Sequence, residues 1–182
     1  MLKLFKEIFR TGDATVKYPF APLEVAKDFR GKPEHVAENC IACAACTIAC
    51  PPNAIRMETD LAAGTRTWSI NYGRCVFCGR CEEVCPTEAI HLTPEFELAV
   101  GSKEDLMRRA VFTLADCEIC GKPFAPAKEI AYAAEILAQT SDDPNRTEQQ
   151  RRLLSTCPDC KRKADLQKLA DMAIARQMET AK

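Results

Sequence analysis

The first residues of the chain place apolar and charged side chains with the period of an α-helix. Leu2, Phe5 and Phe9 fall on one face, while charged residues such as Lys6 occupy the remainder. Gly12 then supplies a stop signal. The pattern predicts an amphipathic helix that either docks on protein or lies on a membrane surface.

The next segment, "YPFAPLEVAKDFRGKPEH", begins at Tyr18 and contains three prolines and a glycine. Proline lacks the backbone N–H that a helix interior or a central strand requires. The segment is therefore predicted to be an extended arm that wraps a neighbour and forms neither element.

Three further patterns lie in the middle of the chain. "IRMETDLAAGTRTWSINY" has strand-like residues on both sides of a turn, which predicts a β-hairpin with Trp68 as a packing residue. "EFELAV" alternates apolar and polar residues and predicts a short strand. Ser102 to Asp105 resembles a capping box that starts a helix running to about Val111.

The last third of the chain has helical periodicity. Pro126 suits the first turn of one helix, and residues 147 to 150 form a further capping box after the loop "SDDPN". The apolar faces consist of Ile130, Ala133, Ala134 and Leu137 in the first helix and Leu166, Leu169 and Ala173 in the tail.

Twelve cysteines in 182 residues are far above ordinary usage. The N-terminal segment has charges between its apolar residues and no small-residue cleavage site, and no apolar run is long enough to span a bilayer. We therefore expect a cytosolic protein, where thiols stay reduced and clustered cysteines hold metal.

Eight of the cysteines form two copies of one motif, C-x2-C-x2-C-x3-C-P, with a constant offset of 35 residues. The echo continues beyond the prolines, where Ala54 and Ile55 match Ala89 and Ile90. Two copies of one loop, helix and strand unit are predicted, related by a pseudo-twofold axis.

In this motif the last cysteine ligates the other cluster of a two-cluster ferredoxin, because the first three can serve only three irons of one [4Fe-4S] cube. Crossed ligation would lock the two halves together and make folding depend on the metal. The predicted ligands are Cys40, Cys43, Cys46 and Cys85 for the first cluster, and Cys75, Cys78, Cys81 and Cys50 for the second. A single zinc site or disulfides explain two runs in register poorly.

The remaining four cysteines form two C-x2-C pairs, the arrangement of a closed tetrahedral site with four sulfur ligands. Gly121 permits the tight turn after the first pair. We expect a structural zinc ion, with a single rubredoxin-like iron as the alternative, since the geometry accepts both. The predicted ligands are Cys117, Cys120, Cys157 and Cys160.

The sequence offers no catalytic constellation. All twelve cysteines are assigned to metal, and His35 and His91 stand alone, as surface or packing residues do. There is no phosphate loop, carboxylate pair or base beside a nucleophile. The 25 basic and 26 acidic residues balance, which argues against nucleic acid as a partner and against a nucleic-acid-binding redox regulator.

The order of an amphipathic helix, a "YPFAPL" and "RGKP" arm, two ferredoxin runs ending in "CGRCEEVCPTEAI" and a late "CGKPFAP…CPDCK" segment covers nearly the whole chain. It resembles the family of formate hydrogenlyase subunit 6 and hydrogenase-4 component H. The first two thirds also resemble, more distantly, the two-cluster iron–sulfur subunit of respiratory complex I, which usually lacks the late pairs.

The resemblance implies a non-catalytic electron-transfer subunit of a membrane-associated [NiFe] hydrogenase complex, an oxidoreductase assembly. It implies as partners the small and large hydrogenase subunits, a further ferredoxin-like donor subunit and a membrane-arm subunit. The implied location is the cytoplasmic face of the inner membrane, with peripheral attachment. A freely diffusing two-cluster ferredoxin and the equivalent complex I subunit are the alternatives.

Taken together, the patterns and the resemblance predict an α+β protein in three parts. Residues 1–36 would form the helix and docking arm, and residues 37–101 a ferredoxin-like domain with two [4Fe-4S] clusters and an inserted hairpin. Residues 102–182 would form a helical module with the four-cysteine site.

Overall fold

The computed structural model describes residues 2–12, 15–140 and 143–180. This part of the chain is a mixed α and β structure, as predicted. Its α-helices are α1 (Leu2–Thr11), α2 (Ala45–Ala49), α3 (Arg80–Glu83), α4 (Ala127–Thr140), α5 (Pro144–Leu154) and α6 (Pro158–Thr180). Its strands are β1 (Pro33–His35), β2 (Ile55–Asp60), β3 (Thr65–Asn71), β4 (Ile90–Leu92), β5 (Met107–Asp116) and β6 (Pro123–Pro126).

The predicted N-terminal helix is present as α1. It ends at Gly12, whose φ of 61° lies in the left-handed region that glycine adopts without strain. Phe5 is 57% exposed and Phe9 is 85% exposed, so the apolar face of α1 is uncovered. No helix within the described residues is long and apolar enough to cross a membrane.

The end of the predicted arm is a strand at the edge of a two-stranded sheet, which agrees with the expectation that the segment forms neither a helix nor a central strand. In β1, Pro33 pairs with Leu92 of β4 and His35 pairs with Ile90, in antiparallel register. The proline is tolerated because it occupies the first position of a two-stranded sheet, where its missing N–H is not required. Gly31, which precedes β1, lets its backbone lie close to the backbone of Glu95, since a Cβ at Gly31 would lie 2.1 Å from the carbonyl oxygen of Glu95.

The predicted hairpin is confirmed by β2 and β3, which pair from Ile55 opposite Ile70 to Asp60 opposite Thr65. This sheet continues in the order β2-β3-β5-β6, all neighbours antiparallel. Strand β5 thereby joins the segment after residue 102 to the hairpin.

The predicted helix from Ser102 to about Val111 is wrong. Ser102 does cap a turn, accepting a hydrogen bond from the N–H of Glu104 at 3.3 Å, but only a 3₁₀ turn over residues 103–106 follows. From there the chain is β5, in which Phe112 and Leu114 are buried while Val111 and Thr113 are exposed. This period of two is the strand pattern, and burial against the hairpin outweighs the local helix signal.

The strand predicted for "EFELAV" is also absent from the structure described there. Phe96 instead packs its ring against two rings of the arm, Tyr18 at 5.8 Å and Phe29 at 6.0 Å between centroids. Phe96 therefore lies in a loop and holds the arm through these ring contacts.

The C-terminal helices begin where proline or an acidic cap stands, not at the predicted second capping box. Asp143 is the N-cap of α5, accepting a hydrogen bond from the N–H of Asn145 at 2.9 Å, with Pro144 in the first turn. Thr147 therefore lies inside the helix. Residues 141 and 142 of the predicted loop lie outside the described residues.

The main hydrophobic core lies between the two sheets and the short helices. Trp68 is 1% exposed and is among its largest side chains, as the sequence predicted for a packing residue. The other buried members are Ala42, Ile55, Ile70, Tyr72, Cys81, Ile90 and Phe112. Ala42 and Cys81 belong to the cysteine loops themselves, and Cys40, Cys46, Cys50 and Cys85 pack against this core, so the core and the cysteine sites are one structure.

Candidate iron–sulfur and metal sites

Two cavities of nearly equal volume open among the ferredoxin-type cysteine loops. The first is lined by Cys40, Cys43, Cys46 and Cys85. The second is lined by Cys50, Cys75, Cys78 and Cys81. Each cavity thus contains three cysteines of one run and the last cysteine of the other run, which is the grouping expected from crossed ligation.

The two loops have the same backbone conformation at equivalent positions. Left-handed φ angles occur at Ala42 (57°) and Phe77 (52°), and again at Ala44 (64°) and Gly79 (81°). Ala44 and Gly79 each precede one of the short helices α2 and α3. Gly79 adopts this conformation without strain, and the conformations turn successive N–H groups toward the inside of the loop.

Backbone N–H groups also meet the cysteine sulfurs in matching pairs. The N–H of Ala42 donates to Sγ of Cys40, and that of Phe77 donates to Sγ of Cys75, both at 3.4 Å. The equivalent bonds to the fourth cysteines are Ala54 to Cys50 at 3.3 Å and Ala89 to Cys85 at 3.2 Å. Such donors stabilise negative charge on sulfur, as a thiolate ligand requires.

Four of the eight thiols that line the cavities resist ionisation on their own, because their pKa is raised. Burial raises the pKa of Cys81 to about 12 and also raises the pKa of Cys40 and Cys75. Burial acts in the same direction on Cys85, but the N–H groups of Thr87 and Ala89 and further hydrogen bonds outweigh it and leave its pKa below the usual value. Metal binding would drive the deprotonation of such a set.

Residues distant in sequence clamp the loop around the first cavity. Arg66 of β3 donates from Nη1 to the carbonyl of Ala42 at 3.1 Å. Lys128 of α4 donates from Nζ to the carbonyls of Ala37 at 2.9 Å and Glu38 at 2.8 Å. The hairpin and the C-terminal segment therefore both hold the loop that carries the first three cysteines.

His35 lines the first cavity and is a packing residue, as the sequence predicted. Its ring stacks on Trp68 with centroids 3.8 Å apart and an interplanar angle of 12°. Burial lowers the pKa of His35 to about 4, with Glu38 opposing this shift and Lys128 adding to it. The imidazole is therefore neutral at physiological pH.

The four late cysteines form a separate, tighter group. Their sulfur atoms all lie within 4.8 Å of one another, and no other described residues form such a set of possible metal ligands. The eight loop cysteines stand further apart, as ligands to different irons of a cube must. Three of the four are buried, with Cys117 only 2% exposed, and Cys120 is exposed.

The sequence folds this group by a tight turn and a helix start. Gly121, with φ of 67°, donates its N–H to the carbonyl of Cys117 at 2.8 Å, which closes the predicted turn. The N–H of Cys157 donates to Sγ of Cys117 at 3.2 Å and lowers the pKa of that thiol to about 6. A hydrogen bond with Cys157 is the main cause that raises the pKa of Cys160 to about 12. The thiol of Cys117 therefore ionises readily, whereas the thiol of Cys160 would need a bound cation to ionise.

Sequence reasoning missed the two clamping residues, Arg66 and Lys128. Their acceptors are backbone carbonyls, which have no residue-type signal. The acceptors also lie 24 residues away for Arg66 and about 90 residues away for Lys128. Only the tertiary fold brings each of these side chains to its acceptor.

Comparison with known proteins identifies the chain. Residues 39–89 match the 4Fe-4S dicluster domain family. The chain is 49% identical over 181 residues to formate hydrogenlyase subunit 6 of Escherichia coli (strain K12), covering 100% of this chain and 99% of that protein. The chain belongs to the formate hydrogenlyase subunit 6 family. The resemblance noted in the arm and the late cysteine segment is therefore confirmed, and the chain carries iron–sulfur clusters of the 4Fe-4S type.

More distant relatives share part of this chain. NADH-quinone oxidoreductase subunit I of Pseudomonas fluorescens is 38% identical over 117 residues, covering 59% of this chain and 63% of that subunit. Among solved structures, one chain of the membrane-bound sulfane sulfur reductase, an archaeal respiratory membrane complex, is 31% identical. The match covers 57% of this chain and 56% of that chain, with a TM-score of 0.44.

Proposed function

We propose that this chain is the one-electron relay of a membrane-associated hydrogenase complex, holding two [4Fe-4S] clusters in the two cavities. Its family and its complex I relative make it an iron–sulfur electron-transfer subunit of a membrane complex. The observation that supports the detailed assignment is the lining of the cavities, in which each set of four cysteines combines three from one run with one from the other.

The ligands of the first cluster are Cys40, Cys43, Cys46 and Cys85, and those of the second are Cys75, Cys78, Cys81 and Cys50. When bound, each cluster accepts and returns one electron without bond making. The chain's own residues hold the clusters in place, donate N–H groups to the sulfurs and exclude water. Ile55 and Ile90, each 2% exposed, line the second and the first cavity respectively.

The four late cysteines hold a single metal ion, for which zinc is the first assignment and a rubredoxin-like iron the second. Four sulfurs at this spacing complete a tetrahedron and leave no open coordination position, which is the character of a structural site. The ion would link the start of α6 to the turn between β5 and β6. Its role is therefore to fix the C-terminal segment, whose Lys128 clamps the loop of the first cavity.

The partners proposed for this chain are the small and large subunits of a [NiFe] hydrogenase, a ferredoxin-like donor subunit and a membrane-arm subunit. The name of the full-length relative supports a formate hydrogenlyase assembly. The uncovered apolar face of α1, beside Lys3, Lys6 and Arg10, supports peripheral attachment at the cytoplasmic face of the inner membrane. Co-sedimentation with membranes after gentle anaerobic lysis tests this, since a wholly soluble protein would favour a diffusing ferredoxin.

The relay assignment is tested in the assembled complex by Cys81→Ser. This substitution removes a ligand of the second cluster, so we expect hydrogen evolution from formate to stop while formate oxidation with an artificial dye continues. Glu82→Ser changes the exposed neighbour on the same helix and should leave both activities intact. Coupled hydrogen evolution that survived in the Cys81→Ser complex would show that electrons bypass this cluster.

A further inference from the structure

The offset of 35 residues relates the linings of the two cavities residue by residue. Ile41, Ala42, Ala44 and Met57 of the first cavity correspond to Val76, Phe77, Gly79 and Leu92 of the second. The strand pairs correspond as well, since His35 lies opposite Ile90 in one sheet and Ile70 lies opposite Ile55 in the other. The two sites are therefore comparable position by position.

Two of these equivalences exchange a polar for an apolar residue. His35 of the first cavity corresponds to Ile70 of the second, and Thr87 corresponds to Pro52. Thr87 places its hydroxyl 3.8 Å from Sγ of Cys85, whereas proline has no side-chain donor. The first cavity thus has polar groups at positions where the second has only hydrocarbon.

A buried polar atom without a partner shows the same asymmetry. Among the described residues, Nε2 of His35 is a buried side-chain atom that has no hydrogen-bond partner, and His35 lines the first cavity. Trp68 and Thr47 differ from it, because the thiol of Cys46 is a hydrogen-bond partner for both of their side chains. Because buried donors normally find a partner, the unpartnered Nε2 of His35 at this cavity indicates a negatively charged occupant that accepts from it.

The geometry of His35 fixes its ring at this cavity. The imidazole is held flat against Trp68, and its plane stands at 88° to the ring of Phe112 with centroids 6.4 Å apart. Its Nε2 is the unpartnered atom. A sulfur-rich, negatively charged occupant favours the tautomer with hydrogen on Nε2, since a bare nitrogen would face sulfur lone pairs.

One positively charged residue at the second cavity favours negative charge there and so opposes the asymmetry between the two cavities. Arg80 lines that cavity where Ala45 lines the first. Its side chain is 59% exposed and is ion-paired with Glu83, so solvent and the carboxylate screen its charge. A buried donor on a residue that lines the cavity, such as His35, is not screened in this way.

We propose that His35 is a positioning residue for the first site, where its Nε2–H donates a hydrogen bond to sulfur and gives the first cluster a higher reduction potential than the second. Donors to cluster sulfur stabilise the reduced, more negative state. At equilibrium a single electron on the chain therefore resides on the cluster held by Cys40, Cys43, Cys46 and Cys85. This inference rests on the proposed function, because it requires both clusters to be present.

The test is a redox titration of the purified full-length protein with its clusters, followed by electron paramagnetic resonance under anaerobic conditions. The wild type should show two midpoints. His35→Ile installs the residue of the equivalent position and should shift only the higher midpoint to a more negative value. His35→Gln, which keeps an N–H, should retain part of the difference, and Ile70→Leu should change neither midpoint.

The reciprocal substitution Ile70→His keeps the test decisive if His35→Ile fails to load its clusters, and it should raise the lower midpoint. The inference is overturned by a single wild-type midpoint, by unchanged midpoints in loaded His35→Ile, by movement of the lower midpoint instead, or by no change in Ile70→His. Iron and sulfide analysis of the wild type separates these results from failure of the proposed function, since a protein without clusters would overturn both, whereas a loaded protein with the wrong midpoints would overturn this inference alone.

Discussion

Gly31 joins the N-terminal arm to the ferredoxin core, and Gly31→Ala should detach the arm. A Cβ at this position would lie 2.1 Å from the carbonyl oxygen of Glu95 and 2.6 Å from that of Thr93, both backbone atoms that cannot turn aside. The segments at residues 31–32 and 93–95 must therefore separate. This breaks the hydrogen bonds from Gly31 N to Thr93 O, from Lys32 N to Glu95 O and from Thr93 N to Lys32 O. At about 1 kcal/mol net for each bond, the loss is about 3 kcal/mol.

The displacement should also reach the second cavity. Pro33 lies two residues after Gly31 and lines that cavity, and its carbonyl accepts a hydrogen bond from the buried hydroxyl of Tyr72 at 3.0 Å. We therefore expect Gly31→Ala to unfold at lower guanidinium concentration, followed by the fluorescence of Trp68, the chain's one tryptophan. We also expect faster proteolysis of the arm and faster bleaching of the cluster absorbance in air.

The matched control is Gly101→Ala, because a Cβ at Gly101 would have no atom within 4 Å. If Gly31→Ala and Gly101→Ala unfolded, digested and bleached alike, the arm would not be held through the backbone contact at Gly31, and the steric reasoning would be refuted.

Three further substitutions test other parts of the account. Cys120→Ser should remove the single metal while the iron and sulfide of the clusters stay, by metal analysis, and a parallel loss of sulfide would contradict separate sites. Lys128→Met removes two hydrogen bonds to the loop at residues 37–38 and should cost about 1 kcal/mol by denaturation, because the bonds are exposed. Lys163→Met on α6 is its control, and equal stability of the two variants would contradict the clamp. Phe9→Ser should release the protein from membranes without changing its unfolding, since Phe9 is 85% exposed, whereas unchanged sedimentation would place the attachment elsewhere.

Local patterns predicted the parts of this fold whose contacts are local. The hairpin was predictable because Ile55 and Ile70 flank one turn, and α4 because its apolar residues recur within the helix. The grouping of the cysteines was predictable for a different reason. A metal ligand has a distinctive residue type, so the repeated spacing predicts which sulfurs meet even though Cys40 and Cys85 are distant in sequence.

Strands β1 and β5 could not be predicted in the same way. Each is defined by a partner remote in sequence, as Pro33 is by Leu92 and Ala110 is by Trp68. Locally, the proline argued against a helix and a central strand but did not indicate the pairing of β1, and Ser102 argued for a helix. Tertiary pairing and burial decided both cases, and for β5 they outweighed the local signal.

The central claim is that eight cysteines hold two cubes and four hold one ion. The most direct measurement is the iron, acid-labile sulfide and zinc content of the full-length protein purified anaerobically. The account predicts about eight irons, about eight sulfides and about one zinc per chain. About nine irons without zinc would assign the late site to a rubredoxin-like iron, and iron without sulfide would contradict the account.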